Sequence, residues 1–266
     1  MGITATSQEA VRRATLRDIP IELCGLEFYG ITVERYEEWQ SLKSVLLMRQ
    51  TKLPVLFLAM PFIDALFATD IQSLETESKL AGYTSAILYT LALALRLPDE
   101  SVINQQIRVV TNKNELKGFY VAFQGERQDV FIPKEMFPQI RQTIAWQNGD
   151  DVPDESLNDD LLETEKDIAA ANAGNLKFDF EDMIASVALN ARLRIRDIYS
   201  MTILEFETMR HAIDRDKRYM LCGMSEASGA TWKGGNPCPS WCFDRAKKGS
   251  AALVSADKFS GIHQRN

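Results

Sequence analysis

The segment Ile195 to Met220, IRDIYSMTILEFETMRHAIDRDKRYM, constrains the fold of this chain most, because its residue types mark both the start and the buried face of a helix. Thr202, followed three positions later by Glu205, forms a capping box. The Thr hydroxyl accepts from a free N–H of the first turn, and the Glu carboxylate reaches back to the Thr backbone. Met201 and Phe206 flank the box at the spacing of a hydrophobic staple. Phe206, Met209 and Ile213 recur at steps of three and four, so they share one stripe, while Glu207, Arg210 and Asp214 face elsewhere. This is a helix that packs rather than one that reacts. Residue chemistry alone describes a soluble globular protein without an evident active site.

A chain of 266 residues admits one large or two ordinary domains, and an apolar fraction of 45% can supply a core without disulfides. The net charge of −7 and a pI near 5.1 give a surface that repels phosphates, which argues against nucleic acid as a general partner. The basic clusters are short: Arg12, Arg13 and Arg17; Arg192, Arg194 and Arg196; Lys247 and Lys248. They read as solvated faces. Residues 1–18 lack an apolar core and carry Glu9 and Asp18, so neither a secretory signal nor a transit peptide is expected. Leu53 to Ile63 is apolar but is interrupted by Pro54 and Pro61 and closed by Asp64, so no membrane span is expected. Cys24, Cys222, Cys238 and Cys242 are few and unevenly placed, which suits a reducing interior.

The pattern along the chain predicts an α+β fold: a mobile arm over 1–18, a mixed domain over 19–149, a helical region over 150–226 and an irregular tail over 227–266. Ile21 to Cys24 and Leu26 to Ile31 alternate around Gly25 like a small hairpin. Thr32 is placed to cap a helix with Tyr36, Trp39, Leu42 and Leu46 on its apolar stripe. Two further helices, about 55–69 and 84–97, are rich enough in Leu, Ala and Phe to be buried on most sides. IRVV, GFYVAF and QDVFI read as three short antiparallel strands, and Pro133 then opens a helix carrying Met136, Phe137, Ile140 and Ile144 that stops near Asn148-Gly149. Asp150, Asp151, Pro153, Asp154 and Glu155 form an acidic connector. Helices are expected over 158–172, over 179–193 with Asp179 as cap and Phe180, Met183, Ile184 and Val187 as apolar face, and over 203–222. Gly223, Gly229, Gly234, Gly235, Pro237 and Pro239 then end regular structure.

Few residues suggest chemistry. Cys238 and Cys242, with Cys222 upstream and His263 downstream, have the elements of a tetrahedral zinc set, but only one pair is close in sequence. No metal site or cofactor is assigned, and zinc at these four residues stays open. Lys233-Gly234-Gly235-Asn236 lacks the order of a phosphate loop and reads as a turn, and His211 reads as a surface residue beside Asp214 and Arg215. Asp150, Asp151, Asp154, Glu155, Asp159 and Asp160 lack calcium-loop spacing and read as a solvated linker. Glu181, Asp182 and Asp197 fall at helix starts, where negative charge offsets the dipole. Trp232, Trp241, Phe243 and Phe259 are harder to leave in water, so the tail either folds back or docks on a partner.

Phe178 to Arg215 resembles the helical end of bacteriophage and prophage tail assembly chaperones. The pattern is carried by Tyr199-Ser200-Met201-Thr202, by Glu205-Phe206 and by the basic run Arg210 to Arg218. Glu226 through Asn236-Pro237 and Pro239-Ser240-Trp241 resembles the endings of prophage proteins from tail gene clusters. The resemblance implies a non-enzymatic protein of the bacterial host cytoplasm that binds the tape-measure protein, tail-tube subunits or both until the tube polymerises. It places partner contacts at Ile195, Ile198, Tyr199, Trp232 and Trp241, with Phe206, Met209 and Ile213 in the protein's own core. A structural tail component and a zinc-dependent regulator or enzyme built on the cysteine tail are the alternatives. The oligomeric state is left open.

Overall fold

Two tight turns set the sheets. Cys24 and Gly25 both take positive φ, 54° and 75°, the left-handed pair that a two-residue hairpin requires. They join β1 (Ile21–Leu23) to β2 (Leu26–Phe28) in an antiparallel pair whose Ile21, Leu23, Leu26 and Phe28 are buried. Lys113 and Asn114, with φ of 50° and 63°, likewise join β3 (Ile107–Asn112) to β4 (Glu115–Val121). The strand β5 (Val130–Pro133) completes a second antiparallel sheet in the order β3-β4-β5. Gly118 permits this sheet: at its φ of 154°, a Cβ would stand 2.1 Å from the Ile132 carbonyl oxygen of β5.

The computed structural model describes residues 2, 7–75, 82–123, 128–156, 164, 179–232, 236–238 and 240–242. They form an α+β fold with two small sheets among a larger complement of helices. The expected helix over 158–172, apart from Thr164, and Phe243, Phe259 and His263, lie outside the described residues. Among the described residues, no helix is long and apolar enough to cross a membrane.

The chain divides into two compact units. The first comprises Met1–Glu155 and Leu193–Glu207; the second comprises Ser156–Arg192 and Thr208–Asn266. In the first unit, residues 8–15 are not part of a mobile arm. They form α1 (Gln8–Thr15), opened by the Ser7 hydroxyl accepting from Ala10 N, and Val11 and Ala14 lie in the core. A 3-10 turn at Val33–Arg35 leads into α2 (Tyr36–Leu46), which buries Trp39 and Leu46 as its stripe predicts. The expected helix over 55–69 is instead broken. A 3-10 turn at Val55–Phe57 leaves Val55 and Leu56 exposed, and α3 (Phe62–Glu75) begins only after Pro61, whose missing N–H suits a helix start. Then α4 (Tyr83–Ala94) runs through the core, and the one-turn α5 (Glu100–Ile103) precedes the second sheet. After the 3-10 turn Lys134–Met136, α6 (Phe137–Gln147) buries Phe137, Ile140 and Ile144.

Polar residues of α6 hold this unit together at depth. The buried Arg141 guanidinium donates from Nε to the Leu46 carbonyl at 2.7 Å and from its terminal nitrogen to that of Met48 at 2.8 Å, and it stacks on the Phe62 ring at 3.6 Å. Arg141 thereby satisfies carbonyls freed where α2 ends. Burial pushes its pKa down to about 10, and the nearby Glu155 carboxylate acts in the opposite sense. Gln147 Nε2 donates to the Phe28 carbonyl at 2.8 Å, and the Asn148 side-chain oxygen accepts from Ile31 N at 3.0 Å. The acidic connector is no free linker as far as Glu155. Asp150 accepts from Lys43 Nζ at 3.3 Å, Asp151 from Trp146 Nε1 at 3.1 Å, and Glu155 from Gln50 N at 3.1 Å.

The helical region over 150–226 is not one domain, because Leu193–Glu207 belongs to the first unit. The helix α7 (Phe180–Ala191) starts at Asp179, whose carboxylate accepts from Glu181 N at 2.9 Å, and stops at Arg192 in the left-handed conformation. The short α8 (Ile195–Tyr199) follows, and then α9 (Ile203–Ala227). The capping box of α9 forms as its residue types predict: Thr202 N donates to the Glu205 carboxylate at 2.7 Å, and Glu205 N donates to Thr202 Oγ1 at 3.2 Å. The helix runs past Gly223 to Ala227, where Gly229, with φ of 91°, turns the chain.

Candidate docking site

Within the second unit, α7 and α9 frame an open groove of about 340 Å³. Amphipathic periodicity produces its lining. Met183 and Val187 from α7 and Ile213 from α9 supply the apolar part, while Asp179 and Asp182 from α7 and Arg210, Asp214 and Lys217 from α9 supply the charges. The Asp214 carboxylate is held by Arg218 at 2.7 Å. An adjoining hollow of about 320 Å³ shares Asn190, Ile213 and Lys217 with this groove and extends to Trp241.

The stripe of α9 continues beyond the groove. At steps of three and four from Ile213 and Lys217 come Met220, Leu221 and Met224, which are 59%, 64% and 68% exposed. On the opposite side of the same helix one residue is covered. Cys222 is buried there, and its thiol ionises above the ordinary value because of burial first and a hydrogen bond with Cys238 second. Arg215 Nε donates to the Trp241 carbonyl at 3.0 Å, and Cys238 N donates to the Asn236 side chain at 2.7 Å. The described part of the tail thus folds back through its backbone and a thiol, whereas the Trp241 side chain stays outside at 61% exposure.

The five residues marked as partner contacts divide between the two units. Ile195, Ile198 and Tyr199 lie in the first unit, and Trp232 and Trp241 lie in the second. Ile198 is 0% exposed and is corrected to a core residue, whereas Ile195, one turn earlier on the same face of α8, is 50% exposed. Tyr199 is half-buried. Phe206 is core as expected, but Met209 and Ile213 are only half-buried, and Ile213 lines the groove. The helix pattern gives Asp182 only as a charge at a helix start and does not single out Lys217, Met220, Leu221 or Met224. The signal was present in the stripe, which keeps its spacing long after a small unit has enough helix to cover it.

Among the described residues, no group of three or more His, Cys, Asp or Glu converges as a metal site. Cys242 Sγ lies 3.2 Å from Ser240 Oγ, and His211 is exposed beside Arg210. No protein-family model matches the chain, and no curated protein or solved structure matches it.

Proposed function

We propose that this chain is a non-enzymatic tail assembly chaperone of a phage or prophage, which binds tape-measure or tail-tube subunits in the bacterial cytoplasm. The observation that carries the binding role is the exposed face of Met220, Leu221 and Met224, which extends an apolar groove out into solvent. Methionine is unbranched and polarisable, so such a face adapts to apolar partners of different shape. Contiguous exposed apolar surface of this kind is the usual mark of a protein-interaction site. The choice of client comes from the resemblance of Phe178–Arg215 to tail assembly chaperones. A tape-measure chain presents long amphipathic helices, and an acidic partner with a complementary groove covers them reversibly.

Co-expression with a tape-measure protein is expected to raise that protein's soluble yield and to give a complex that elutes as one species. Purified tail particles are expected to lack this chain. Its presence there at fixed stoichiometry would replace the chaperone reading with that of a structural component.

A further inference from the structure

Walls of opposite charge line the α7–α9 groove without closing on each other. Asp182 of α7 and Lys217 of α9 both border it, and neither forms an ion pair with another described residue. Asp214 is neutralised by Arg218, which leaves Lys217 as the cation that the α9 wall presents without an ion pair to a described residue. Met183, Val187 and Ile213 supply the apolar surface between the walls. Two exposed side chains of opposite sign gain little by crossing such a gap, whereas a ligand that fills it can satisfy both.

Shape narrows the ligand class. From Asp179 to Asn190, the α7 border runs about 16 Å at the helical rise, and the adjoining hollow carries the groove on to the exposed Trp241. That length matches about three turns of helix. It is an extended trough rather than an enclosed small-molecule pocket.

We propose that the occupant is an amphipathic helical segment of a partner protein, about three turns long, that bridges the two walls. Its apolar face lies on Met183, Val187 and Ile213, a basic residue on one edge meets Asp182, and an acidic residue on the other meets Lys217. This inference rests on the protein-binding reading above and adds the chemistry of the client segment.

The test uses the full chain and three dye-labelled synthetic helices of about 14 residues with the same leucine stripe. One carries lysine on one edge and glutamate on the other, one carries lysine on both, and one carries glutamate on both. Fluorescence anisotropy is expected to show the mixed helix binding the native chain about fivefold more tightly than either of the others. Asp182→Lys makes both walls cationic and is expected to move the preference to the glutamate-edged helix. Lys217→Glu puts a carboxylate on the α9 wall facing Asp182 and is expected to move it to the lysine-edged helix. A damaged fold loses affinity but does not gain it for a new ligand, so the crossed exchange is independent of stability.

Equal affinity for all three helices, or binding of none, would overturn the proposal. So would a dimer of the native chain that Lys217→Glu disperses, because the occupant would then be a second copy. A tape-measure complex that forms unchanged with both charge variants would remove the groove from the mechanism and leave the chaperone role standing.

Discussion

Thr202 pairs with Thr32 in an isolated antiparallel bridge across 170 positions of sequence, with Val33 N donating to the Met201 carbonyl and Ile203 N to the Ile31 carbonyl, both at 2.8 Å. The same Thr202 opens α9 through its capping box. One residue therefore fixes a helix start and ties the returning segment to the chain that follows β2. Thr202→Ala is expected to lower the unfolding free energy by about 1–2 kcal/mol, as loss of an N-cap does. Thr202→Ser keeps the hydroxyl and is expected to retain most of it. Urea unfolding of the two variants checks this.

Gly118 and Gly25 both have positive φ but differ in what surrounds them. Alanine at Gly25 meets open space and is expected to cost about 1 kcal/mol, from backbone conformation alone. Alanine at Gly118 drives a methyl group into the Ile132 carbonyl and is expected to separate β4 from β5. Amide exchange across the Phe119–Ile132 and Tyr120–Phe131 pairs is expected to accelerate in Gly118→Ala and to stay slow in Gly25→Ala.

Arg141 replaces the water that would otherwise solvate the end of α2. Removing it leaves the Leu46 and Met48 carbonyls without that donor, and Arg141→Ala is expected to cost about 2–4 kcal/mol. Lysine lacks the guanidinium fork and the flat face that lies on Phe62, so Arg141→Lys is expected to recover only part of the loss. Thermal melts at one pH rank the three proteins.

Met220, Leu221 and Met224 are expected to contribute to binding and not to folding. Changing all three to serine is expected to shift unfolding by no more than about 0.5 kcal/mol per site, the range for exposed positions. Complex formation with an apolar client is expected to fall at least about tenfold. A melt and a pull-down on the same preparation separate the two effects.

Cys222 is held protonated by burial and by Cys238, so its folded-state ionisation lies above the ordinary thiol value of 9.0. The sign follows from linkage: the stabilisation from keeping this thiol neutral is complete below the unfolded value and is lost as pH rises through the folded one. Alkylation of Cys222 is expected to lag behind that of the exposed Cys242 at pH 8 and to accelerate only as pH rises above the ordinary thiol value. Peptide mass mapping after timed iodoacetamide treatment follows both residues.

Local signals carried much of the architecture. The alternation of Ile21, Leu23, Leu26 and Phe28 around Cys24-Gly25, the stripe of Trp39 and Leu46, and the Thr202–Glu205 box each depend on neighbours a few residues away. What pattern could not supply was the long-range bookkeeping. The burial of Val11 depends on packing that no residue near it announces, and the inward turn of Ile198 depends on a chain that returns to Thr32. The groove was half legible: Met183, Val187 and Ile213 stood out as apolar helix positions, but which faces stay open is a tertiary property.

The discontinuous make-up of the first unit limits how this protein can be dissected. A cut in the connector after Glu155 removes Leu193–Glu207, and with it the strand partner of Thr32 and the buried side chains of Ile198, Leu204 and Phe206. Residues 1–155 expressed alone would carry a wound in their interior, and no single truncation point yields both units intact. Only a graft that splices 193–207 back onto the fragment by a short tether would give a fair test of autonomous folding.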